Sequence, residues 1–231
     1  MVPHKFISSV EIEEQPMTTR AVIFDLDGTL VDTLNDIANA SNHVLERAGY
    51  PTHPLDAYRG FVGGGARVLV ERALPPDALD QVDAILKQFG HQYIENLLVD
   101  SAPYPGIVEL LGELTSRAIP IAILSNKPHI MVTEIAETLF ADVPFMGVHG
   151  QKPDVPKKPD PTAVIALAHE MGLSPADIAY VGDSDVDIDT ALAANMLAVG
   201  VAWGFRGAPE LEARGAAHVL QTPRDLLQLL G

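Results

Sequence analysis

Apolar and polar positions along this chain follow two alternating rhythms. Short, nearly continuous apolar runs occupy positions 21–24, 121–124, 178–181 and 197–201, with a weaker one at 144–148. Runs of four or five such residues bounded by turn formers read as strands buried on both faces. Between them, apolar residues recur at three- and four-residue steps, the pattern of one-sided helices. Helices are predicted near 107–117 and 130–140, from Asp160-Pro161 to Gly172, up to Ala194, and from Thr222-Pro223 onward. Asp160 as cap and Pro161 in the first turn suit a helix start, because that turn has no use for the missing N–H.

The rhythm is different between residues 34 and 100, where no strand pattern appears. Leu34, Ile37, Ala38, Ser41, Val44, Leu45 and Ala48 recur at helical spacing, with Thr33 as N-cap and Gly49 as stop. A second helical stretch covers 66–73, closed by Pro75-Pro76. A third carries Leu79, Val82, Leu86, Phe89, Tyr93 and Leu97. The predicted architecture is a doubly wound α/β core with a mainly parallel sheet, from residues 20–33 and 101–231, interrupted by an α-helical cap at 34–100. Residues 1–19 read as an N-terminal extension; Val10 and Ile12 alternate with Glu11 and Glu13 as in a short strand, and Met17 is an alternative start.

Composition narrows the partners. The formal net charge is −16, which disfavours nucleic acid and anionic membrane surfaces, both of which need clustered Lys and Arg. An anionic ligand would need a local cation. The absence of cysteine excludes disulfides and thiolate catalysis and fits a cytoplasmic protein. No run nears the roughly 18 apolar residues of a membrane span. The eight histidines show no ligand-like spacing.

The chemistry begins at Asp25-Leu26-Asp27-Gly28-Thr29-Leu30-Val31-Asp32. An apolar strand delivers two carboxylates, one residue apart, to the same side of the chain. Like charges that close need a bridging cation or a shared proton. This string resembles the first motif of the haloacid dehalogenase superfamily, DxDGT. Three further motifs follow in order: Ser125 after the run 121–124, Lys158 opening Lys-Pro-Asp-Pro, and Gly182-Asp183-Ser184-Asp185-Val186-Asp187.

The resemblance implies a role for each residue. Asp25 is the nucleophile and Asp27 the general acid/base, and Lys158 neutralises the nucleophile and phosphate. Ser125, Asn126 and Thr29 belong to the phosphate-binding set. Mg²⁺ is held by Asp25, the Asp27 backbone carbonyl and Asp183, with Asp187 behind them. Ser125-Asn126-Lys127-Pro128 is similar to the corresponding stretch of phosphoglycolate-phosphatase-like members. The implied function is a Mg²⁺-dependent phosphomonoesterase acting on a small anionic metabolite, 2-phosphoglycolate first. Sugar or amino-sugar phosphates, pyrophosphate and a β-phosphoglucomutase-type phosphomutase are alternatives, and a non-catalytic binding protein is a further one. Gly63-Gly64-Gly65 is either a flexible connector or a cap loop that, with Arg67, holds a substrate anion. Lys157, Trp203 and Phe205 read as surface or packing residues, and Asp185 and Asp189 as a solvated helix start.

Overall fold

The computed structural model describes residues 19–230. The expected short strand near Val10 and the alternative start at Met17 lie outside the described residues. In chain order the elements begin with β1 (Ala21–Phe24) and β2 (Val31–Asp32). Four helices follow, α1 (Leu34–Ala48), α2 (Leu55–Phe61), α3 (Ala66–Ala73) and α4 (Val82–Ile94), and the chain returns through β3 (Ala102–Pro103). Alternation then resumes with α5 (Ile107–Ser116), β4 (Ile121–Pro128), α6 (His129–Leu139), β5 (Gly147–Gln151) and α7 (Thr162–Glu170). The last elements are β6 (Ile178–Gly182), α8 (Asp185–Ala193), β7 (Leu197–Val201), α9 (Ala208–Arg214) and β8 (His218–Leu220).

Six strands form one sheet in the order β5-β4-β1-β6-β7-β8, with every pairing parallel. β1 is a central strand because all four of its residues are apolar and at most 1% exposed. Its side chains alternate between two cores. Val22 and Phe24 pack with Leu111 of α5 and Ile135 of α6, whereas Ala21 and Ile23 pack with Leu167 of α7 and Ile188 of α8. Helices therefore cover both faces. The strand order reverses at β1, so β4 and β6 flank it and a crevice opens past the carboxyl ends of these three strands.

β2 and β3 pair antiparallel where the chain leaves and re-enters the core. The buried Asp36, in the first turn of α1, ties the two crossings together: it accepts Asp100 N (2.9 Å), Ser101 N (2.9 Å) and the Ser101 hydroxyl (2.6 Å). Three donors are what allow a carboxylate to be buried there.

Several boundaries differ from the expected ones. β4 continues four residues past Leu124, because β5 lies alongside and pairs with it, with a register shift between Leu124 and Pro128. β5 starts at Gly147 rather than 144, where pairing with Ala122 begins. The periodicity missed α2, α9 and β8, which are too short to show a repeat; α2 also contains Gly60. The final predicted helix is a 3-10 segment, Pro223–Gln228, capped by Thr222. Among the described residues, no helix is long and apolar enough to cross a membrane.

Candidate active site

Adjacent strands bring the acidic residues together. Asp25 follows β1 and donates its N–H to Val181 O of β6 at 2.9 Å, while Asp183 follows β6 directly. Because Phe24 lies opposite Val181 in the parallel pairing, the two carboxylates emerge side by side. Asp187, in the first turn of α8, completes the group. Oxygens of Asp25, Asp183 and Asp187 lie within 4.8 Å of one another, and all three residues are buried.

Buried like charges resist ionisation together. Burial lifts the Asp25 pKa; Lys158 pulls it back, Asp187 and Asp27 push it up again, and it settles at about 6 against an ordinary 3.8. Burial, then Asp187 and Asp25, holds Asp183 well above the usual carboxylate range.

Lys158 supplies the buried counter-charge. Its three ammonium protons go to Asp187 Oδ1 (2.7 Å), the Tyr180 hydroxyl (2.9 Å) and Leu124 O (3.3 Å). Asp25 Oδ1 is 2.9 Å away as a buried ion pair. Burial opposes the Lys158 charge, but Asp187 and Asp25 outweigh it and raise its pKa well above the ordinary value. Asp187 has both oxygens engaged, since Oδ2 accepts Ser184 N (3.1 Å) and the Ser184 hydroxyl (2.6 Å) as a capping box on α8. An added cation would therefore meet Asp25 and Asp183, and their clustered, buried, hard carboxylate oxygens fit a divalent metal.

Asp27 sits on the substrate side. Its Oδ1 accepts the Thr33 hydroxyl (2.7 Å) and Lys127 Nζ (2.7 Å), and Lys127 also donates to the Tyr93 hydroxyl of α4 at 2.5 Å. Thr33 stands at the N-cap of α1 as expected, but its side chain makes no capping bond. Gly28 turns the chain here with φ +83°, and a Cβ on it would lie 2.2 Å from Asp183 Oδ2. Only glycine fits both constraints.

The remaining residues chosen from sequence separate into three outcomes. Ser125 lines the cavity beside Asp25, Asp27 and Asp183, as expected. Asn126 also lines it, but its side chain is engaged elsewhere: Nδ2 donates to Gly63 O and Lys158 O (3.0 Å each), and Oδ1 accepts Lys158 N (2.9 Å). That side chain bolts Lys158 to the loop before α3. Thr29 is fully buried, its hydroxyl has no partner, and it does not line the cavity, because its turn folds beneath the site. Arg67 reaches the cavity wall, but its half-exposed guanidinium pairs with Asp83 and Glu71 inside the helical layer.

Other residues gain a role that their spacing did not show. Lys157 is exposed, as expected, and also donates to Gly64 O at 2.8 Å. Phe205 N donates to Asp183 Oδ2 at 2.7 Å, and Trp203 Nε1 to Thr29 O at 3.0 Å. Arg206 donates to Arg59 O (2.6 Å) and Val62 O (3.1 Å) at the end of α2. The Lys157 and Arg206 bonds, with that of Asn126 to Gly63, tie residues 59–64 to the core around a cavity of about 570 Å³. A single arginine or lysine after a turn has no periodic signature, so only the tertiary contacts reveal it.

Comparison with known proteins gives a consistent result. Residues 22–201 match the family model described as haloacid dehalogenase-like hydrolase. A phosphoglycolate phosphatase of Pseudomonas putida is 34% identical, over 90% of this chain and 78% of its own. That of Escherichia coli K12 is 31% identical over 92% of each chain. A crystal structure from Lactobacillus delbrueckii, provisionally named phosphoglycolate phosphatase, superposes with a TM-score of 0.86 at 29% identity. It covers 93% of this chain and 100% of its own. A haloacid dehalogenase-like family protein of Streptococcus pneumoniae superposes at 0.83 with 25% identity, over 93% of this chain and 99% of its own.

Proposed function

The chain belongs to the haloacid dehalogenase-like hydrolases, and on that premise we propose that it is a Mg²⁺-dependent phosphomonoesterase working through an aspartyl-phosphate on Asp25. The observation that carries this reading is the buried Asp25 carboxylate, clustered with Asp183 within 4.8 Å and ion-paired at 2.9 Å with the Lys158 ammonium. That arrangement suits a nucleophilic carboxylate with a cation nearby. The relatives' names make 2-phosphoglycolate the first substrate to test.

Asp25 and Asp183, with the Asp27 backbone carbonyl, would hold Mg²⁺, which would offset the clustered negative charge and polarise the phosphoryl oxygens. The remaining chemistry belongs to side chains. An oxygen of Asp25 attacks phosphorus, and the bond from phosphorus to the ester oxygen breaks. Asp27, two residues on, gives that oxygen its proton, so the alcohol leaves neutral. Water then attacks the aspartyl-phosphate while Asp27 takes its proton, releasing inorganic phosphate and restoring Asp25. Lys158 keeps a positive charge against Asp25 throughout, fixed by Asp187 and Tyr180. The Ser125 hydroxyl faces the same cavity and donates to a phosphoryl oxygen. Residues 34–100 act as a cap that excludes bulk water from the acyl phosphate.

Phosphate release from 2-phosphoglycolate tests this directly. The wild type should require Mg²⁺ and lose activity in excess EDTA, and Asp25→Asn should fall below detection while remaining folded. Undiminished turnover in chelator would remove the metal; turnover by Asp25→Asn would remove the covalent intermediate.

A further inference from the structure

The cavity above Asp25 is larger and more apolar than a two-carbon acid requires. Even allowing each of the nine non-hydrogen atoms of 2-phosphoglycolate the roughly 30 Å³ that a water claims in the liquid, the molecule would fill about 270 Å³. The space available is about 570 Å³. Its apolar lining comes from Ile37 of α1, Leu69 of α3, Leu86 and Phe89 of α4, and Met131 of α6. Two cations that line the cavity are paired: Arg67 with Asp83 and Glu71, and Lys127 with Asp27.

α4 contains a second, independent sign. Leu86, Gly90 and Tyr93 share one face of this helix at steps of four and three, and all three line the cavity. A Cβ added at Gly90 would meet no atom within 4 Å. Glycine inside a helix is destabilising relative to alanine, and here neither packing nor φ requires it, since Gly90 has an ordinary helical φ. What the missing side chain leaves is room, on the wall of the same cavity that Asp25 lines.

We propose that this site selects phosphomonoesters whose alcohol carries an apolar portion of about four to six carbons, and that Gly90 is the specificity-determining residue that keeps space for it. The proposal rests on the phosphomonoesterase reading given above and names the substrate class of that same site. The phosphate end meets Ser125 and Asp25, and the apolar end lies along Leu86, Phe89 and Met131. Water held against those side chains is released when the substrate enters, which provides the selectivity.

A homologous series of n-alkyl phosphates isolates this term, because leaving-group basicity hardly changes from ethyl to hexyl. In the wild type, kcat/KM should rise about fourfold per added methylene, the factor for burying one CH₂. Gly90→Leu should lower the hexyl-to-ethyl ratio at least tenfold, with Gly90→Ala in between. Neither variant should melt below the wild type, which separates a filled cavity from a damaged fold. A flat wild-type series with ethyl phosphate still hydrolysed would overturn this inference alone. An unchanged ratio in Gly90→Leu would remove Gly90 from it. No phosphate release from any ester would instead remove the phosphomonoesterase reading, and the inference with it.

Discussion

Replacing Asp25 with Asn should make the metal-free protein more stable at neutral pH, although it destroys the nucleophile. In the folded chain the Asp25 pKa is raised to about 6 from 3.8. A carboxyl shifted in this direction binds its proton more tightly when folded, so it favours folding at low pH. That contribution is complete below about pH 4 and is lost as pH rises through about 6. A shift of roughly two units corresponds to about 3 kcal/mol. Asn is neutral at every pH and escapes this cost. The stability difference between Asp25→Asn and wild type, measured by urea or thermal unfolding in EDTA, should therefore be near zero at pH 4 and approach about 3 kcal/mol by pH 7.5. For a chain of this size that amounts to a rise of roughly 6–12 °C in Tm. Adding Mg²⁺ at a hundredfold excess over its Kd should raise the wild type by about 2.7 kcal/mol and leave Asp25→Asn nearly unmoved. A wild type at least as stable as Asp25→Asn in chelator at pH 7.5 would refute the claim that burial and Asp187 outweigh Lys158 at this carboxylate.

Two other substitutions probe how the site is assembled. Gly28→Ala places a Cβ against Asp183 Oδ2 at a positive φ; calorimetric titration should show Mg²⁺ affinity reduced at least tenfold, and unchanged affinity would mean that Asp183 can move aside freely. Arg206→Ala removes charged hydrogen bonds to Arg59 O and Val62 O; at about 1.5 kcal/mol or more for such a bond, kcat/KM should fall roughly tenfold, and an unaffected value would show that this bridge between helices and sheet does not position the substrate.

The pattern of this chain alone determined its architecture, and its motifs, by resemblance to a known family, marked the groups proposed to react. Apolar runs of four or five residues can be satisfied only as strands covered on both faces, and that need is local and readable. The motif residues Asp25, Asp27, Ser125, Lys158 and Asp183 each follow such a run or a turn signal, so their arrival at one edge of a parallel sheet was legible before any coordinates. The secondary partners were not legible. That Asn126 would bolt Lys158 in place, that Thr33 would turn from capping α1 to Asp27, and that Thr29 would end beneath the cavity all depend on which donor lies nearest once remote segments pack. Arg67 shows the same limit: its sequence position put a cation at the substrate, but Asp83, sixteen residues on, claims it. Hydrogen bonds and ion pairs act over about 3 Å, a scale that periodicity does not resolve. The volume above Asp25 is likewise a property of facing walls, and no single segment encodes it.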